Sequence, residues 1–274
     1  EKYSIKAKIL LRIGDMIGPI YLFNKALAVD PANVDALIFK AIAYSRQNRL
    51  EKALDTINKA LELSDSNHLA LSAKTGILET LNRYPEALEC VKKSLELVPD
   101  SLTDLNHRAY CMWMADRSEE ECIAAFREIL VEYPADTTTR RSLTSVLWEV
   151  GQHEEALEVA TQLEAECPSL LIRALRMKPL LSLGRYDEVL ELADKSNAVA
   201  ENAQAMYCRG SALYALGNPE QEVIDAFQRC VELDPDMADA WHYLVALYNA
   251  KGDYEASLLA FSNTLHEPVT NPIQ

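Results

Sequence analysis

The sequence predicts an all-α fold, an α-α superhelix built as a solenoid of antiparallel helix pairs, and three observations carry that expectation. Glycines number only eight in 274 residues and β-branched runs are scarce, so the chain reads as short helices separated by turns. Pro31, Pro99, Pro134, Pro168 and Pro235 fall at spacings of 68, 35, 34 and 67 residues, which are one or two turns of a single period. A second series of turn signals lies half a period away, at 13–15 (IGD), 47–49 (QNR), 81–84 (LNRY), 149–152 (EVGQ), 182–186 (SLGRY), 215–218 (ALGN) and 250–254 (AKGDY). Gly recurs in this series where a helix must stop.

Each period closes on a related segment: KALAVDP at 25–31, KALELSD at 59–65, KSLELVP at 93–99, REILVEYP at 127–134, QLEAECP at 162–168 and RCVELDP at 229–235. A small residue follows the mid-period turn, at Ala53, Ala87 and Ala156, with Ala256 one step closer. Two helices, a small residue early in the second, an aromatic or aliphatic four places on and Pro at the close resemble the tetratricopeptide repeat. The family pattern W-x2-L-G-x2-Y, then A-x3-F, a further Ala and Pro, is distributed over the copies. Trp241, Leu244 and Tyr248 stand in the eighth, Gly210, Phe227 and Pro235 in the seventh, and Ala41, Tyr44, Ala53, Ile57 and Ala60 in the second.

The resemblance divides residues 1–271 into a single solenoid of eight units: 1–33, 34–67, 68–101, 102–136, 137–170, 171–202, 203–237 and 238–271, with 272–274 as a tail. The fourth and seventh each carry about one extra residue at the middle turn, at Asp116–Glu120 and Asn218–Glu222. The sixth is short, lacks the terminal Pro and places Pro179 inside its first helix, where a kink or local break is expected. The last helix still shows Leu258, Leu259 and Phe261 on more than one side, as though a continuation or a second copy covered it. The chain opens on Glu1 rather than Met, from which a processed or cut chain is expected.

Composition narrows the functions. At 49% hydrophobic and 25% charged, the chain is too apolar to remain disordered. A net charge of −15 repels phosphate backbones, so no nucleic-acid partner is expected, and no apolar run is long enough for a membrane span. Residues 137–274 hold 10 Lys and Arg against 21 Asp and Glu, net −11, which favours a basic partner on that half. Cys90, Cys111, Cys122, Cys167, Cys208 and Cys230 show no CxxC pair or disulfide ladder; most sit among apolar helical residues as small hydrophobes, and free thiols favour a reducing, cytoplasmic setting. Phosphate-cradling, nucleophile-elbow and HExxH motifs are absent and the five histidines lack ligand spacing, so neither an enzyme nor a cofactor or metal site is expected. Glu119–Glu120–Glu121 and Glu154–Glu155 sit at helix starts, where carboxylates favour the helix dipole.

The expected activity is therefore binding: an interaction scaffold that holds a peptide or helix of a partner protein, basic or apolar, in a concave groove. The resemblance implies that first helices line this groove and turn positions 2, 5, 9, 12 and 13 of each unit toward it. Carried over, that selects Asp35, Ile38, Ile42, Ser45 and Arg46 in the second unit and Thr103, Asn106, Tyr110, Trp113 and Met114 in the fourth. The fifth supplies Thr138, Arg141, Ser145, Trp148 and Glu149; the seventh, Gln204, Tyr207, Ser211 and Tyr214; the eighth, Asp239, His242, Ala246 and Asn249. The sixth unit's register is too irregular to assign. Asn106, Tyr110, Trp113, Arg141, Trp148, Tyr207 and Tyr214 form the expected partner-binding set, with the fourth and fifth units foremost.

Trp113 and Trp148 stand out because both occupy position 12, off the structural aromatic positions 4 and 11. Each is either an interface anchor or a packing residue against the next unit. The Lys/Asn/Arg clamp by which some family members grip a chaperone carboxylate is missing, its places being taken by Ile38, Ile42, Ala73, Thr103 and His107. Two other roles fit the same residues: the substrate-recruiting arm of a larger enzyme, and a peptide-responsive sensor.

Overall fold

The structure, a computed structural model, describes residues 2–12, 18–115, 118–197 and 199–264. The turn expected at 13–15, part of the insertion at 116–120 and the tail 272–274 lie outside the described residues. Among the described residues there are sixteen helices and no strand. They follow in pairs: α1 (Lys2–Arg12) and α2 (Gly18–Val29), α3 (Val34–Arg46) and α4 (Leu50–Leu63), α5 (His68–Thr80) and α6 (Tyr84–Leu97), α7 (Leu102–Met114) and α8 (Glu119–Glu132). The series continues with α9 (Thr137–Glu149) and α10 (His153–Glu166), α11 (Leu170–Ser182) and α12 (Tyr186–Asn197), α13 (Ala203–Ala215) and α14 (Glu220–Leu233), α15 (Ala238–Lys251) and α16 (Tyr254–Thr264). The helices gather into two compact units, Glu1–Ala135 and Asp136–Gln274. Within each, a helix packs on its chain neighbours, and first helices also pack on first helices: α3 on α5 and α5 on α7 in one unit, α9 on α11 and α11 on α13 in the other.

Local chemistry sets both ends of the first helices. Asn33, Asn67, Ser101, Asp136, Ser169 and Asn202 precede α3, α5, α7, α9, α11 and α13, and each side chain accepts a hydrogen bond from the N–H three residues on. Such caps satisfy donors that the helix itself leaves unpaired. At the other end the chain leaves the helix through a left-handed residue: Asn48 and Asn82 at φ 57°, Gly151 at 84°, Gly184 and Gly217 at 70°, Gly252 at 78°. The residue after each donates its N–H five places back, as Arg49 does to the Tyr44 carbonyl and Gln152 to that of Leu147, at 2.9 and 2.8 Å. This is the Schellman closure, which needs a residue that tolerates positive φ.

The second helices carry the centres of the core. Phe23, Ile57, Val91, Phe126 and Phe227, on α2, α4, α6, α8 and α14, are fully buried. Ala53, Ala87 and Ala156 are fully buried where second helices meet their neighbours. In the last pair the buried small residue is Ser257 rather than Ala256, because it follows Gly252 by the same five places that separate Ala53 from Asn48. Leu258, Leu259 and Phe261 of α16 are exposed.

Two expectations change. The helix α11 runs through Pro179 without a break. Pro179 lies in its last turn, so only the ladder bond to the Leu175 carbonyl is forfeited, and the Leu183 N–H resumes on the Pro179 carbonyl at 3.0 Å. Ile38, assigned to a groove, is fully buried in the core of the first unit, which also contains Ile57, Ile77 and Leu78.

Candidate partner-binding groove

In the second unit, side chains of α9, α11, α13 and α15, with Tyr186 of α12, line one cavity of about 420 Å³. Trp148 lines it from α9, Lys178, Leu181 and Ser182 from α11, Gln204, Tyr207, Ser211 and Tyr214 from α13, and Asp239 and Tyr243 from α15. An adjoining cavity of about 520 Å³ shares Tyr207, Tyr214, Asp239 and Tyr243 and adds His242 and Ala246. Both sizes suit part of an extended ligand. Counted from the first residue of α13, the cavity takes positions 2, 5, 9 and 12, the positions the repeat resemblance turned inward. Counting α11 from Leu170 puts Lys178, Leu181 and Ser182 at 9, 12 and 13, which supplies the register the sequence left open.

The cavity's aromatic wall is tied together. Tyr243 stacks on the buried Phe227 with ring centroids 4.6 Å apart, and meets Tyr207 and Tyr214 edge-on at 6.2 and 5.7 Å. Gly210 makes room for this arrangement, since a Cβ there would lie 2.9 Å from the Phe227 ring. Burial, then the neighbouring Tyr243 and the Asp239 carboxylate, push the Tyr207 hydroxyl up to about 12, with Ser211 opposing. The phenol therefore stays neutral and can donate a hydrogen bond.

Trp148 packs on the next first helix, α11, and also lines the cavity. Its indole N–H donates to Ser182 Oγ at 2.9 Å and Lys178 Nζ lies 4.9 Å from its ring centroid. Arg141, also on α9, is exposed. Tyr214 is 56% exposed, which leaves most of its ring available. Asn106, Tyr110 and Trp113 belong to the first unit. There Asn106 Nδ2 donates to the Leu102 carbonyl at 3.1 Å, Tyr110 meets Tyr84 edge-on at 6.3 Å, and Trp113 is half-buried. The sequence did not single out Lys178, Tyr186 or Tyr243. The first two fell in the unassigned sixth unit, and Tyr243 was hidden beside His242, although the run of tyrosines on α13 and α15 is its signal.

The polar clusters of the first unit are built for packing. His68 Nε2 and Ser94 Oγ both contact the same oxygen of the buried Asp104, at 2.7 and 2.8 Å. A nucleophile needs its base on its own hydroxyl, whereas here serine and histidine share an acceptor. Glu79 holds His107 Nδ1 at 2.8 Å and accepts from Cys111 Sγ at 3.1 Å. Burial raises the thiols of Cys90 and Cys111, and pushes Cys208 and Cys230 up to about 11 and 12, so these four stay protonated near neutral pH. Among the described residues no group of His, Cys, Asp or Glu is arranged to hold a metal ion, and no helix is long and apolar enough to cross a membrane.

Family models of the tetratricopeptide repeat match residues 20–77 and 178–238. No curated protein sequence matches the chain. Among solved structures, a tetratricopeptide repeat protein from Parabacteroides merdae superposes with a TM-score of 0.71 at 17% identity, over 95% of this chain and 98% of its own. The type IV pilus biogenesis factor PilW gives 0.67 at 19% identity over 72% and 91%, and yeast Tom70 gives 0.64 at 17% over 92% and 54%. At such identities the likeness is one of fold.

Proposed function

The chain belongs to the tetratricopeptide-repeat family, and we propose that it is a protein-interaction scaffold whose second unit holds an extended peptide segment of a partner protein. Each of the eight helix pairs is read as one repeat, and the ligand runs across the first helices α9, α11, α13 and α15. One observation carries the reading: two first helices of the unit, α9 and α13, bring Trp148, Tyr207 and Tyr214 to the wall of one cavity. Rigid aromatics at low entropic cost concentrate binding energy at protein interfaces. Arg141, two helical turns before Trp148 on α9, is assigned as a contact for a partner carboxylate. Asn106, Tyr110 and Trp113 are assigned to contact on the first unit by the same repeat positions. The free thiols support a reducing, cytoplasmic setting.

Capture of partners from lysate on immobilised full chain, repeated with Tyr214→Ala, tests the assignment. Tyr214 is exposed, so its loss leaves the fold intact, and removal of an anchor of this kind lowers recovery of the same partners by about tenfold. Undiminished recovery by the variant would remove the groove from the account.

A further inference from the structure

We infer that the end of this groove between α13 and α15 is a subsite for one cationic side chain, an arginine or lysine, of the bound peptide. The inference rests on the groove assignment above and adds the chemistry of what enters. Tyr207, Tyr214 and Tyr243 surround the cavity that Asp239 borders, and their mutual edge-on packing holds the rings in fixed directions. Tyr243 is further fixed by its stack on the fully buried Phe227. Ring faces attract a cation through their quadrupole, and an adjacent carboxylate adds a direct counter-charge. Among the described residues no Lys or Arg forms an ion pair with Asp239, which is exposed at the start of α15.

Charge at two scales selects the occupant. Residues 137–274 carry net −11, a field that draws in cations and repels acidic ligands. Locally, among the described residues, the cation on the first cavity's wall is Lys178, which lies over Trp148. The adjoining cavity retains the tyrosines and Asp239 and does not include Lys178. A cationic side chain is therefore accommodated at the α13–α15 end, and an apolar one leaves the Asp239 charge without a partner.

The test uses the full chain and four pools of acetylated, amidated nonapeptides, randomised except for a central Arg, Lys, Leu or Glu. Binding is read by fluorescence anisotropy at about 0.15 M salt, where the long-range field is damped. The Arg and Lys pools are expected to bind about tenfold tighter than the Leu pool, and tighter still than the Glu pool. Asp239→Asn and Tyr214→Leu, both at exposed positions, each reduce that preference severalfold. Loss of preference in Tyr214→Leu separates a ring contribution from charge alone, since this variant keeps every charge. Equal binding of all pools, abolished by Trp148→Ala, overturns the cation subsite and leaves the groove standing. Binding of no pool overturns both, and an Arg preference that survives both variants overturns the subsite.

Discussion

Gly210 of α13 faces Phe227 of α14, whose ring fills the space a side chain would need, so that a Cβ there would lie 2.9 Å from two ring atoms. Helix propensity alone favours Ala over Gly by about 1 kcal/mol. Phe227 is fully buried and stacked on Tyr243, so it has nowhere to retreat, and overpacking of this kind costs roughly 1–3 kcal/mol. The overpacking wins: Gly210→Ala is expected to lower stability by about 1 kcal/mol in urea unfolding, and to displace Tyr243 with it. A second residue-scale expectation concerns His107. Burial is the largest influence on its imidazolium and opposes it, yet the hydrogen bond and charge of Glu79, with the field of Asp104, outweigh burial and raise its pKa. A raised folded-state value means that the stabilising charge pair is complete below the unfolded value of 6.5 and is lost as pH rises through the higher folded value. The urea midpoint of the chain should fall across that window. In Glu79→Gln the His107 part of the fall disappears.

The elements show why some of the fold was legible and some was not. A left-handed turn residue admits few side chains, so Asn48, Asn82, Gly151, Gly184, Gly217 and Gly252 mark the turns in the sequence itself. Replacing Gly217 by Ala is expected to cost about 1 kcal/mol of stability, and by Asn less, measured as a shift in melting temperature. The sixth pair was obscured because Pro179 reads as an interruption, whereas in the last turn of α11 it forfeits a single backbone bond. With that register went Lys178, Ser182 and Tyr186, all of which line the cavity. Ile38 shows the opposite limit. Repeat position says which way a side chain points, but whether a neighbour covers it depends on the packing of the adjoining helices, and Ile38 is covered completely. For Trp148 the packing reading is the one met, an indole bonded to Ser182 of the next pair, while its place on the cavity wall is what the proposed anchor role rests on.

At the scale of the whole molecule, each compact unit contains four helix pairs, and the second combines the stronger negative charge with a tyrosine-lined groove. Stacked pairs bury a continuous core while their first helices are left to present side chains, which is the physical basis of the scaffold role proposed above. Hydrogen–deuterium exchange of the full chain, with and without the tightest-binding Arg-centred nonapeptide, tests this central claim most directly. The account predicts slowed exchange in α9, α11, α13 and α15 with α10, α14 and α16 unchanged. Slowed exchange confined to those second helices, or none at saturating peptide, would contradict it.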